Sequence, residues 1–189
     1  DIVRHFLGRG FVGKAMVVSI DKATALRMHD KVRKHWKAET ARVRTELGRD
    51  DLPNSERAAL KQRLEVLTTT DMAVIVSPGQ NEIGQMRTLG LDIEPHRKRM
   101  NESQPGLDEK FKDTTDPLRL VFVCAMWLTG FDVPCLHTMY VDKRLDGVLE
   151  HFVAAHQHAH AGVLFLRLEA HGNADRVVQQ FLLAAVRVQ

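Results

Sequence analysis

The sequence predicts an α/β fold of three layers, a parallel sheet with helices on both faces, and three observations carry that expectation. Short apolar, β-branched runs recur at 15–20, 73–76, 118–123, 138–141 and 163–168. Stretches of helical spacing or helix-favouring composition separate them. The runs lack the polar alternation of a strand with one wet face, as expected when strand–helix–strand units bury a sheet on both sides. The 189 residues, 44% hydrophobic and 27% charged, suffice for one domain with a sizeable core and are too few for two ordinary ones.

The elements follow in order. The opening DIVRHF sets Ile2, Val3, Phe6 and Leu7 on one side of a helix. Because the first residue is Asp1 and the helical spacing begins at once, the chain is expected to be a fragment of something longer. Ala15-Met16-Val17-Val18-Ser19-Ile20 is a strand, and Asp21 opens a long charged helix to about Leu47. Gly48 and Pro53 break that pattern, after which Ser55 can cap a second helix to about Leu67. The two helices, over 21–67, are expected to form an antiparallel hairpin. Its Arg42, Arg44, Arg57, Lys61 and Arg63 are read as a solvated face rather than a nucleic-acid patch.

Ala73-Val74-Ile75-Val76 is the second strand, ending in Ser77-Pro78-Gly79, with a short helix from Asn81 or Glu82. Gly90 to Gly106, broken by Pro95 and Pro105, reads as a long surface excursion, and Leu107 to Lys112 as an amphipathic turn or two. Leu118 to Val123 and Thr138 to Val141 are the next strands. A strand at Val163 to Leu168 and a helix from Ala174 to Val186 close the chain. In such sheets ligands meet the loops beyond the strands' carboxyl ends, here those after Ile20, Val76, Val123 and Val141.

Composition excludes several classes. A surplus of 27 Lys+Arg over 24 Asp+Glu gives +3 with ten neutral histidines, which permits a polyanionic partner without demanding one. No apolar run approaches the roughly 20 residues of a bilayer helix, so no membrane association is expected. Cys124 and Cys135 sit in or beside apolar stretches with no metal-ligand spacing, as expected of reduced thiols in the cytosol.

Two motifs invite over-reading. Gly8 to Lys14 matches both G-x-G-x-x-G and the start of a P-loop. A phosphate-binding glycine loop follows a strand and opens a helix, whose first N–H groups face the phosphate. Here the glycines precede the strand, and Ala15 stands where a magnesium-binding hydroxyl is needed. A helix-to-strand turn is expected. His151, His156, His158, His160 and His171 could present imidazoles on one face of a helix or a strand. No Cys, Asp or Glu lies between His151 and Leu168 to complete a ligand set, and no metal site is expected there.

The most informative stretch is CAMWLTGFDVPCLHTMYVDK, Cys124 to Lys143. A buried strand runs into a loop holding a hydroxyl, a glycine and a carboxylate at Thr129, Gly130 and Asp132. Such a loop can offer a backbone N–H and the Thr hydroxyl to a phosphate while Asp132 orients a ribose hydroxyl or another loop. It can equally be a tight loop in which Asp132 caps the next turn.

This stretch resembles motif V and the following strand in the motor (R) subunit of type I restriction endonucleases, which are superfamily-two helicases. GKAMVVSIDKATALRMHDKVRKHW, from Gly13, is similar to that family's motif IV strand and helix. DMAVIVSPGQNEI, from Asp71, resembles its next strand and loop. GLDIEPHRKRMNE and LDEKFKDTTDPLRLVFV resemble the approach to motif V. The likeness runs unbroken from Asp1 to Lys143.

The resemblance implies the second RecA-like lobe of a two-lobe motor, with 1–189 one helicase C-terminal domain. The family couples ATP hydrolysis, with Mg2+, to translocation along double-stranded DNA. A nuclease domain lies on the same subunit, and methyltransferase and specificity subunits are its cytoplasmic partners. By resemblance Thr129 and Gly130 contact phosphate and Asp132 couples nucleotide state to grip. Ser19 with Lys22, and Ser77 with Gln80, would line the same DNA-facing rim. The P-loop and acidic Walker-B box belong to the first lobe, so the fragment alone is expected to bind no cofactor and to be inactive.

One departure stands out. Where the family carries Gln-x-x-x-Arg-x-x-Arg, motif VI, this chain has Phe152, His156 and Ala159. A histidine cannot supply the permanently charged fork of an arginine that stabilises transition-state charge on a transferring phosphoryl group. The alternative expectation is therefore a degenerate, non-catalytic RecA-like domain kept for DNA binding or assembly.

Overall fold

The computed structural model describes residues 1–10, 13–124, 126–127, 133–142 and 164–166. Its elements are α1 (Ile2–Gly8), β1 (Lys14–Ser19), α2 (Lys22–Leu47), α3 (Asn54–Thr69), β2 (Asp71–Val76) and α4 (Glu82–Thr88). After them come α5 (Glu94–Glu102), α6 (Leu107–Lys112), β3 (Leu118–Cys124), β4 (Leu136–Asp142) and β5 (Leu164–Leu166). The expected terminal helix at Ala174 to Val186, and the histidine-rich tract with Phe152, His156 and Ala159, lie outside the described residues.

The strands form one five-stranded sheet in the order β2-β3-β1-β4-β5, and every pairing is parallel. Val17 stands level with Phe122 on one side and Tyr140 on the other, and Phe122 in turn with Val74. These side chains share the face covered by α1, α2, α3 and α4, through Phe6, Leu26, Val32, Leu67 and Met86. The intervening residues Met16, Val18, Ala73, Ile75, Val121, Val123 and Met139 point the other way and pack on Leu107 and Phe111 of α6. Two-sided burial accounts for the unbroken apolar runs. The fold is the three-layer α/β lobe with a parallel sheet, RecA-like in architecture, that the sequence predicts.

α2 starts where the Asp21 carboxylate accepts the Thr24 N–H at 2.6 Å, satisfying a donor with no partner inside the helix. Its 26 residues make a rod about 39 Å long. The first turns bury Ala25, Leu26 and His29, and farther along Trp36 and Val43 are buried with Leu67 of α3 in the same cluster. Trp36 Nε1 donates to the Leu67 carbonyl at 2.9 Å, Arg63 meets Glu39, and Arg57 reaches the Leu47 carbonyl at 3.0 Å. Ascending numbers on α2 thus meet descending numbers on α3, and the pair is an antiparallel hairpin. Arg42 is exposed, pairing with Glu39 and Glu46 on its own helix, whereas Arg57 closes the hairpin's end on the Leu47 and Arg49 carbonyls.

Two local expectations are corrected. α3 starts at Asn54 behind Pro53, with no side-chain cap, so Ser55 lies inside the first turn. Gly90 to Gly106 is not a plain surface excursion, because Glu94–Glu102 is helical with proline in the first turn. A proline there forfeits only an N–H that the helix would leave unpaired. α5 buries no residue fully, so it carries little apolar periodicity.

The described residues of the Gly8 to Lys14 stretch end α1 and open β1, the expected helix-to-strand order. Gly10 adopts φ +74°, a backbone region that favours glycine. Arg9 holds the connection, donating to the Phe6 and Gly13 carbonyls and to Thr138 Oγ1 at 2.9 to 3.1 Å. Lys14 is buried, and its ammonium donates to the carbonyls of Lys110, Asp116 and Leu118 at 3.0, 3.1 and 2.7 Å. Three donors meet three acceptors, which leaves none for a phosphate.

Buried polar groups also set a pH dependence. His29 is 2% exposed, with its ring edge-on to Phe122 at 5.4 Å. Burial, and secondarily His96, push its pKa down to about 4. A folded-state pKa below the unfolded value means that the unfolded chain binds the extra proton. The stabilisation is therefore complete above about pH 6.5 and is lost as pH falls towards 4. In a chelator-containing buffer, urea midpoints are expected to drop between pH 7 and pH 4.5 by an amount equivalent to about 2 kcal/mol from this group. His29→Gln should flatten that part of the profile; an equally steep profile in the variant would refute the assignment.

Candidate functional site

Because all strands run one way, their carboxyl ends lie along one edge of the sheet, where the expected site residues fall. β3 stands between β2 and β1, so the segments after β1 and β2 meet across its end. Val76 is level with Cys124, and Val18 with Val123. Ile20 is 52% exposed there, and the Cys124 thiol approaches its carbonyl at 3.7 Å.

Ser19, the last residue of β1, is not on the open rim. It is fully buried, and its hydroxyl has no hydrogen-bond partner among the described residues. Lys22 is partly exposed, and its ammonium stands 3.3 Å from Glu82 Oε2. Ser77 and Gln80 are both exposed. Thr129, Gly130 and Asp132 lie outside the described residues. Trp127 stacks on Phe111 at 5.8 Å, and Val133 is 1% exposed in the second-face core.

A charged network that local sequence reasoning does not reveal holds this edge together. The Arg97 guanidinium on α5 makes a two-point pair with Glu82 at 2.7 and 2.9 Å. It also donates to the carbonyls of Val76 and Ser77 at 3.0 and 3.1 Å. One planar fork thus ties the end of β2 and its loop to α4 and α5. Burial by itself would raise the Glu82 pKa, but Arg97 and then Lys22 outweigh it and hold the carboxyl below its ordinary range. Gly79 sits against the Lys22 ammonium, 2.8 Å from where a Cβ would stand. Lys22 therefore spans from α2 to the loop after β2.

Asn81, the residue that caps the start of α4, has φ +50°, a left-handed conformation in which asparagine is among the few tolerated residues. A Cβ on Gly84 would come within 2.8 Å of the Asn81 side-chain oxygen, so the glycine leaves room for that side chain over the first turn. Ile83 next to it is 37% exposed. The edge thus combines exposed apolar residues, one partly exposed lysine on an acidic partner, and an exposed polar loop at 77–80. Such a surface suits contact with a phosphate backbone or another domain. It contains no nucleophile–base pair among its described residues.

Comparison with known proteins places the chain. The family described as type I restriction enzyme subunit R domain 3 matches residues 56–155, a span that runs from within the first turn of α3 past the end of β4. A protein of Methanocaldococcus jannaschii designated the type I restriction enzyme MjaIXP endonuclease subunit is 32% identical over 145 residues, covering 76% of this chain and 10% of the relative. The type I restriction enzyme HindI endonuclease subunit of Haemophilus influenzae is 48% identical over 56 residues, covering 30% of this chain and 5% of the relative. No solved structure matches significantly. The chain thus corresponds to a small part of these long relatives. With the parallel α/β lobe and the residues along its carboxyl edge, these matches establish that the chain belongs to the family of type I restriction enzyme R (endonuclease) subunits.

Proposed function

We propose that the chain is the second motor lobe of an ATP-dependent DNA translocase in a type I restriction-modification enzyme. It grips double-stranded DNA along its carboxyl edge and completes an ATP site with a first lobe elsewhere in the subunit. The observation that carries this reading is the convergence on one edge of Lys22, the exposed 77–80 loop and the start of the crossover bearing Thr129, Gly130 and Asp132, in a member of the R-subunit family. Translocation requires contacts that read no sequence and release at each step. A few hydroxyl, amide and lysine contacts to phosphate meet that requirement, consistent with the net charge of +3.

The buried Lys14 does not fit a nucleotide phosphate. Contact with ATP and Mg2+ therefore falls to the loop after β3, with the remaining phosphate-binding groups supplied by the first lobe. Of the DNA-facing residues expected by resemblance, Lys22, Ser77 and Gln80 are accessible, whereas the buried Ser19 is not available to DNA. The nuclease domain of the same subunit, and the methyltransferase and specificity subunits, are the proposed cytoplasmic partners. No described helix is long and apolar enough to cross a membrane.

The test uses the complete subunit assembled with its partners. Thr129→Ala and Asp132→Asn are each expected to lower ATP-dependent translocation, followed by displacement of a triplex-forming strand, by about 100-fold. Assembly and DNA binding should persist. Translocation at the unaltered rate in both variants would defeat the proposal. A second reading, a non-catalytic DNA-holding or assembly domain, is favoured by Phe152, His156 and Ala159 standing where motif VI has its glutamine and arginines. It predicts that the unaltered assembled subunit binds DNA without ATP-driven movement.

A further inference from the structure

α2 and α5 bring two histidines and a carboxylate together on the sheet face that carries Phe122. One donor atom from each of His29, Asp30 and His96 lies within 4.8 Å of the other two. The His29 and His96 rings meet edge to face at 4.7 Å, and His29 Nδ1 stands 3.1 Å from Asp30 Oδ1. Two donors on one tetrahedral zinc ion, each about 2.0–2.1 Å from it, are separated by about 3.3 Å. The His29–Asp30 pair already has that spacing. Asp30 is exposed and His96 half-buried, so both can rotate to close the remainder.

We propose that His29, Asp30 and His96 form a binding site for a divalent transition ion of the zinc class, which clamps α2 to α5. Two imidazoles and one carboxylate are a donor set that zinc accepts with a fourth position left to water. Magnesium and calcium are not expected to compete, because they take oxygen donors and keep their waters. His29 Nδ1 faces the Asp30 carboxylate, so an ion bound there leaves the ring proton on Nε2. The surrounding charge is mixed. Asp92 faces His96 favourably, while Arg33 and Arg99 oppose a cation. Arg99 is largely committed to Asp71 and the Met72 carbonyl.

The site also has a mechanical consequence. Arg97, which holds the 77–80 loop, directly follows His96 on α5, and α2 carries Lys22 at its start. An ion between His29 and His96 therefore stiffens the two helices that position the carboxyl edge. This inference does not depend on the translocase reading.

The experiment uses the full chain in which His151, His156, His158, His160 and His171 are replaced by alanine, so that the histidine-rich tract contributes no binding. After chelator treatment, Co2+ is titrated and followed by its visible d–d absorption, and Zn2+ is followed by thermal melting. The expected result is one equivalent of Co2+ bound with tetrahedral-type bands, its displacement by Zn2+, and a higher melting temperature with Zn2+. His96→Asn should weaken Co2+ binding at least about tenfold, and Asp30→Asn by a smaller factor. Because His96 is half-buried, its replacement leaves the core intact, and melting without metal checks this. No stoichiometric Co2+ binding, or binding unchanged by His96→Asn, would overturn the assignment.

Discussion

Lys14→Ala is expected to cost the fold about 3–5 kcal/mol and to leave nucleotide binding unchanged. The lysine is 2% exposed at the start of β1, and its three bonds close the corner where α6, the 113–117 turn and β3 meet. Burial lowers its pKa, an effect opposed by Cys135, Asp116 and Asp113, so desolvation takes back part of what the bonds contribute. Removing the ammonium leaves three carbonyls without their donor, and the lost stem opens a void beside Phe111, whose ring lies 5.6 Å from the ammonium. For a domain with a total stability of about 5–15 kcal/mol, such a loss is severe. Urea titration should show a lower midpoint with an unchanged slope. Lys14→Met separates the two contributions, because it fills the space without donating. If it restored most of the stability, packing of the stem and not the hydrogen bonds would be the cause. A phosphate-loop lysine would behave the other way, with nucleotide affinity lost and stability intact.

The Lys14 environment also shows what the sequence could tell and what it could not. The order of glycines, strand and alanine excludes a phosphate loop because that chemistry needs a strand before the glycines and a helix after them. Where the ammonium goes instead depends on carbonyls near 110–118, about a hundred residues away, and no local pattern encodes that. The strands were legible because parallel strands buried on both faces are apolar throughout. The long α2 was legible from the Asp21 cap and helix-favouring composition. α5 was hidden because a helix that buries no residue fully has no apolar stripe, and Pro95 reads as a breaker unless the helix start is known. The candidate edge was partly legible: strand-end logic pointed to the segments after Ile20 and Val76, and the family resemblance to Lys22, Ser77 and Gln80 within them. The same logic could not foresee that Ser19 is enclosed. Nor could it pair Glu82 with Arg97, residues brought together only when α5 folds back over the end of β2.

Removing Arg97 is expected to loosen the carboxyl edge more than removing any other single charge in it. Exposed ion pairs contribute about 0–1 kcal/mol, and breaking a fully buried one costs about 3–5 kcal/mol. Here the side chains are 18% and 10% exposed, and the guanidinium also serves two carbonyls. Arg97→Ala should therefore cost about 2–3 kcal/mol, and Arg97→Lys should recover little of it, because an ammonium cannot reproduce the planar fork. Lys22→Ala removes a longer, single contact to the same carboxylate and should cost under about 1 kcal/mol. Hydrogen exchange localises the effect. Amides in 77–88 should exchange faster in Arg97→Ala, while those of β1 and β3, held by the sheet on both sides, keep their protection. In the assembled subunit the same variant should weaken DNA binding without steepening its salt dependence, because a loop that is no longer held must be ordered on each encounter while the number of phosphate contacts does not rise. If exchange in 77–88 were unchanged, Arg97 would be a surface charge with incidental partners, and the edge would owe its shape to the backbone alone.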